Sequence, residues 1–313
     1  MDRTRGEATA GGADAARVGG VWQTDSSAHV ASGQLPSLDP LAPTQTIPAL
    51  NGKRTLRCLY LFAGIEREAS IAKHLVEMCK KDGHGLQFWS VDVLIGGKGH
   101  DMLNRDKQND FLRVLEDGHF DMQVLSPPCG SWSRANWSNN KGPAPCRDRH
   151  NPWGLPNMPE QQRRRCEKGS EFIHFSLKAI AAARAAKAAG HRTMSLWEHP
   201  EDLGRMHSGE PASVWQLDET RTAFGDTPFI TVAGHQCQFD VDRSKPTRLF
   251  TDIEGFDDFG WCGWPTFDAG GWYVGPLPHD CGHEGGHRKG KKTIGKTSEG
   301  GFNTSPTAAY PPE

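Results

Sequence analysis

The stretch Phe120-Asp121-Met122-Gln123-Val124-Leu125-Ser126-Pro127-Pro128-Cys129-Gly130-Ser131-Trp132-Ser133 decides how this chain is read. Its first half is a short buried strand, and its second half is a turn that a sheet cannot hold. Two consecutive prolines each fix φ at about −65° and offer no amide to a ladder, so the strand stops at them. Cys129 is thereby delivered into a Gly/Ser loop at a strand's carboxyl end, the edge at which open α/β sheets hold their ligands. A thiol on so stiff a turn is a candidate nucleophile; a buried cysteine at a strand end is the alternative.

Working outward, strand-like and helix-like segments alternate. Arg57–Phe62 is a strand, and Glu66–Lys81 a helix with Ile71, Leu75 and Met78 on one face. Gln87–Asp92 is a second strand and Lys107–Asp117 a helix, followed by the strand that leads into Cys129. A loop over 130–157 precedes a long helix from Glu160 to Ala189, closed by Gly190. Thr193–Glu198 is a further strand that ends, like the second, on an acid. This rhythm predicts an α/β fold with a doubly wound, mostly parallel sheet. Residues 53–250 carry it. Residues 1–52, rich in Ala, Gly, Ser, Thr, Asp and Pro, are expected to be disordered. Residues 251–313 form a small, irregular Gly/Trp-rich extension.

The 313 residues are 36% apolar and 24% charged, with a formal net charge of −2. Such a balance gives no global attraction to nucleic acid, so a nucleic-acid partner must meet a local patch. Eight cysteines lack paired spacing, and the first 30 residues hold no apolar stretch. Free thiols and an intracellular, reducing setting are therefore expected. No apolar run approaches the roughly 18 residues of a membrane helix.

Chemistry gathers at the predicted strand ends. Phe62-Ala63-Gly64-Ile65-Glu66 is a tight turn opening a helix, where a glycine lets backbone approach a ligand. Asp92, after the second strand, is placed to accept hydrogen bonds from ribose hydroxyls. Across 141–168, Lys141, Arg147, Arg149, Arg163, Arg164, Arg165 and Lys168 outnumber the acids, with Trp132, Trp137 and Trp153 near them. Such a mixture suits a loop closing over nucleic acid, or equally a solvated helix start with packed tryptophans. Cys281, His283 and His287, with Cys262, are residue types that bind zinc, although their spacing fits no standard zinc motif.

In this order the motifs resemble the DNA cytosine-5 methyltransferases over residues 55 to 250. The Phe-x-Gly-x-Gly cofactor turn of that family is matched in part by Phe62-Ala63-Gly64-Ile65-Glu66, and its ribose acid by Asp92. Asp101-Met102 resembles its adenine-side pair, Pro127-Pro128-Cys129 its nucleophile loop, and Glu198-His199-Pro200 its Glu-Asn-Val strand end. The family's arginine segment is reduced to Lys245-Pro246-Thr247-Arg248. Gly301–Thr304 through Ala309–Pro312 is similar to its closing segment. Glu66 stands where the second glycine would be, and Gly130 where a glutamine is usual.

The resemblance implies a Rossmann-like methyltransferase that uses S-adenosylmethionine to methylate carbon 5 of cytosine in nucleic acid, DNA before RNA. It makes Cys129 and Glu198 catalytic, and it makes Phe62, Ala63, Gly64, Ile65, Glu66, Asp92, Asp101, Met102 and Pro127 cofactor-binding. Arg134, Lys141, Arg147, Arg149 and Arg248 would meet nucleic acid. The rival reading is a catalytically silent relative that binds nucleic acid in a mobile-element or chromatin system. An amino-methyltransferase is a third, opposed by Cys129 where that class carries an aromatic residue.

Overall fold

The computed structural model describes residues 42–65, 70–138, 142–239, 244–279 and 281. Its centre is an eight-stranded mixed sheet: β1 (Gln45–Ile47), β2 (Thr55–Leu61), β3 (Gly85–Val91), β4 (Met122–Leu125), β5 (Met194–Pro200), β6 (Ile230–His235), β7 (Pro246–Thr251) and β8 (Trp261–Cys262). The spatial order is β1-β3-β2-β4-β5-β7-β6-β8. The run β3-β2-β4-β5 is parallel, and β7 lies antiparallel between β5 and β6. The chain thus leaves β2 toward β3 on one side, then returns to place β4 on the other.

Helices lie on both faces. Register puts Tyr60, Val124 and Leu196 in one row. They form a core with Cys58, Phe88 and the buried Ala72 and Cys79 of α1 (Ile71–Asp82). The alternate row carries Gln123, whose Nε2 donates to Ala179 O (2.9 Å) of the long helix Glu160–Ala188 and to Ser195 Oγ (2.8 Å). A helix over Arg105–Glu116, capped by Asn104, packs against that long helix. In chain order these are α3 and α4, because α2 is the short turn Val93–Gly96 that follows β3. Among the described residues no helix is long and apolar enough to cross a membrane.

Several expectations shift. β2 stops at Leu61, because Phe62 takes a left-handed φ of 63°. Helix α1 begins at Ile71, with Ser70 Oγ accepting from Lys73 N at 3.2 Å. Met78 is 59% exposed, whereas Ile71 and Leu75 pack on the core beside the buried Ala72 and Cys79. The disorder expected through residue 52 fails for its last part. β1 pairs antiparallel with β3 (Thr46↔Gln87), and Thr44 Oγ1 donates to Phe88 O at 2.9 Å. An edge strand is held by backbone bonds and needs little apolar pattern of its own.

The described residues from 251 to 279 also pack on this sheet. Phe256 and Phe259 pack under the sheet, and Cys262 pairs with Val232. A hairpin, β9 (Thr266–Phe267) with β10 (Tyr273–Gly275), sets Tyr273 and Leu277 against Ala233. Trp264 packs inward, 5.3 Å from the Phe250 ring and 6.4 Å from Trp215, whereas Trp272 is exposed.

Candidate active site

The order β3-β2-β4-β5 places a topological switch between β2 and β4, and open sheets bind ligands in the crevice outside those carboxyl ends. The Phe62–Gly64 turn leaves one strand there and the Pro-Pro-Cys turn leaves the other. Pro127 is buried, Pro128 exposed and Cys129 half-buried. Trp132 N donates to Cys129 O at 2.9 Å, closing the turn around the thiol.

Glu198, 6% exposed on the neighbouring β5, reaches the same end of the sheet. Its Oε1 lies 3.4 Å from Lys245 Nζ, both side chains largely covered. Burial pushes the Cys129 thiol up; the Lys245 ammonium pulls it back down, while Glu198 adds to the rise. Burial pulls Lys245 down, but Glu198 and Cys129 outweigh it and the net is up. Cys129, Glu198 and Lys245 therefore form one electrostatic cluster. Lys245 was not a sequence candidate. The available signal was its place just ahead of a strand, in the segment already set beside the arginine motif.

His199 and Pro200 point the strand end toward a narrow cavity of about 20 Å³, lined also by Trp132, Arg134, Asp202 and Ser213. Such a volume suits a single water. Burial, then the charges of Lys245 and Arg147, holds the His199 imidazole down at about 3, so it is neutral.

At the β2 and β3 ends, Gly64 has φ 68°, with no atom within 4 Å of where a side chain would project. Asp92 Oδ2 accepts from Gly64 N at 3.1 Å, and its Oδ1 caps α2 through Leu94 N at 2.8 Å. The carboxylate therefore ties the two turns together and retains acceptor capacity. Phe62 packs edge-on against Phe172 of α4, with centroids 5.3 Å apart, which holds the turn open. Ala63 packs on the core, whereas Ile65, Val93, Leu94 and Ile95 are exposed beside Asp92. Glu66 lies outside the described residues.

An open glycine turn, an acid with free acceptor positions and adjoining apolar surface fit the ribose and base of a nucleoside-type cofactor. Asp101 and Met102 fit less well. Asp101 Oδ1 accepts from Leu103 N at 3.0 Å in a local turn. Met102 is 3% exposed, with its carbonyl held by Gln108 Nε2 at 2.7 Å.

The arginines expected at nucleic acid turn inward. Arg248 forms an ion pair with Glu201 at 2.8 Å, both wholly buried, and donates to Thr231 Oγ1 and Gly263 O. Arg147 is 2% exposed. It donates to Pro152 O, Cys166 O and Ser131 Oγ, with its guanidinium 3.8 Å over the Trp132 ring. Arg134 is spent on the carbonyls of Leu203, Gly204 and Arg205. Arg149 lies over Phe267 and 3.7 Å from Asp202. Trp132 is core, and Arg163 and Arg164 pair with Glu160 on a solvated helix start. Lys141 lies outside the described residues, as do His283 and His287. Among the described residues no three metal-binding side chains cluster, and Cys262 is exposed, its thiol 3.6 Å from Asp257 O.

Two comparisons bear on identity. No family model matches this chain, and no curated protein is similar enough in sequence to count as a relative.

Proposed function

We propose that this chain is a Rossmann-like, S-adenosylmethionine-dependent methyltransferase acting on carbon 5 of cytosine in nucleic acid. The observation that carries the reading is the meeting of Cys129, Glu198 and Lys245 at the switch between β2 and β4, beside the Gly64–Asp92 turn. Phe62, Gly64, Ile65 and Asp92 would hold the cofactor, which when bound supplies an electrophilic methyl group.

The chain's own groups supply the rest. Cytosine carbon 5 is a poor nucleophile until a thiolate adds at carbon 6 and makes it enamine-like. Cysteine suits that addition, since sulfur is strongly nucleophilic even when little of it is ionised. Glu198 delivers a proton to ring nitrogen 3 as charge develops there. After transfer, loss of the carbon 5 proton expels Cys129. The base must leave its stack to reach so covered a thiol, at about a few kcal/mol in a duplex and less in a single strand.

The rival, a silent nucleic-acid-binding relative, is favoured by Glu66 in place of the second turn glycine. The inward arginines weaken both readings equally on the side of nucleic-acid affinity. Trapping separates them. With S-adenosylmethionine and 5-fluorocytosine DNA, an eliminating enzyme stalls as a covalent adduct, because fluorine cannot depart as a proton does. An adduct present in the wild type and absent in Cys129→Ala is the expected result. No adduct on single-stranded DNA, duplex DNA or RNA would leave the silent relative.

A further inference from the structure

The ion pair between Lys245 and Glu198 lies within the electrostatic reach of the only half-buried thiol at the sheet's switch point among the described residues. Glu198 sits on β5 and Lys245 on the lead into β7, so two different strands fix the pair relative to the Pro-Pro turn. The lysine side chain is 20% exposed and the carboxylate 8%, so water screens neither fully.

We propose that Lys245 is a shared counter-charge: its ammonium holds Glu198 in the free protein and serves the Cys129 thiolate once the thiol proton has moved to Glu198. The acceptor, which rests on the reading above, is an electron-poor ring with a conjugated C=C–C=N system, as in cytosine. The proton on sulfur passes to the Glu198 carboxylate, and the sulfur lone pair forms the bond to carbon 6. The C5=C6 pair shifts to C4=C5, and the C4=N3 pair takes the proton back from Glu198 at nitrogen 3. The S–H bond and one π bond are exchanged for S–C and N–H bonds, the carboxylate is regenerated, and no further reactant is needed. Lys245 keeps its proton throughout. It is a positioning residue that spares the site two uncompensated charge states, a lone carboxylate at rest and a lone thiolate in attack.

The groups acting on Cys129 are Lys245 and Glu198, and those acting on Lys245 are Glu198 and Cys129. His199, next on β5, is held neutral by burial and by the charges of Lys245 and Arg147. Iodoacetamide alkylation of the native full chain from pH 6 to 10, read by peptide mapping at Cys129, isolates this arrangement. Exposed Cys262 is the internal control.

Lys245→Met should slow Cys129 alkylation at pH 8 by about tenfold or more, one unit of thiol pKa being tenfold in thiolate. Lys245→Arg should restore it, and Glu198→Gln should speed it, with Cys262 unchanged in each. The opposite signs keep the test decisive even if one variant folds poorly. An unchanged Cys129 profile in Lys245→Met, or a slower one in Glu198→Gln, overturns the proposal. The expected alkylation pattern without any fluorocytosine adduct would overturn only the choice of acceptor, and with it methyl transfer.

Discussion

Replacing Arg248 by methionine asks whether that guanidinium serves the fold or a ligand. Burial pushes the Glu201 carboxyl up to about 7 against the pull of Arg248, from an ordinary value of 4.5. The folded protein therefore keeps a proton that the unfolded chain releases. Stability from this group is greatest below pH 4.5 and falls as the pH rises to about 7, at about 1.4 kcal/mol per unit, then levels. In Arg248→Met the counter-charge is gone, so the carboxyl stays protonated well past pH 7 and the fall continues. By pH 9 the continued fall separates variant from wild type by about 2–3 kcal/mol. The lost hydrogen bonds to Thr231 Oγ1 and Gly263 O add about 1 kcal/mol each at any pH. Urea unfolding should thus show a loss of about 2 kcal/mol at pH 5 that grows to about 4–5 kcal/mol at pH 9, in the range for a broken buried pair. Adding Glu201→Leu should remove the pH-dependent part. A loss equal at both pH values, or an unchanged unfolding curve with weaker nucleic-acid binding, would refute this reasoning and return Arg248 to the ligand.

Two further perturbations bear on the site's scaffold. His199 stays neutral to about 3 when folded, against 6.5 in the open chain, so its contribution is intact above pH 6.5 and is lost as the pH falls toward 3. His199→Asn should flatten the acid side of the stability profile between pH 4 and 6.5, and an unchanged slope in urea titrations would place the acid sensitivity elsewhere. Gly169 lies inside α4 where an added methyl would collide with Ser131 Oγ. Gly169→Ala should therefore destabilise by about 1–3 kcal/mol through overpacking, despite a gain of about 1 kcal/mol in helix propensity; a stabilised variant in the same unfolding assay would show that the turn after Cys129 yields freely.

The parallel half of the sheet was legible because its strands are mostly apolar segments alternating with helical ones and ended by turn-forming residues. Pro127 and Pro128 stop β4, and Asp92 leaves β3 to cap α2. The antiparallel half was not legible. β6 reads Ile-Thr-Val-Ala-Gly-His and β7 Pro-Thr-Arg-Leu-Phe-Thr, with a wholly buried arginine in the second. Periodicity scores that arginine as surface, and only the fold supplies Glu201 across from it. Likewise β1 is three residues whose contribution to the sheet is their backbone, which composition does not encode.

The same asymmetry governs the site. Cys129, Glu198, Gly64 and Asp92 could be placed at one edge because each follows or ends a strand, and strand ends converge by topology alone. The arginines of the 130–153 loop could not be oriented, because sequence gives their charge and not their direction. A long loop with little regular structure carries many carbonyls without ladder partners, and a guanidinium has five donors to offer them. Arg147 does this for the Pro152 carbonyl while tying the loop to the Ser131 hydroxyl and the Cys166 carbonyl of α4, and Arg134 does it for the turn at Leu203–Arg205. A basic run beside a nucleophile is therefore weak evidence for a polyanion whenever the intervening loop must also be held together. Lys245 is the opposite case: a cation just ahead of a strand, between Arg243 and Arg248 in sequence, that reaches Glu198 because β7 is threaded beside β5.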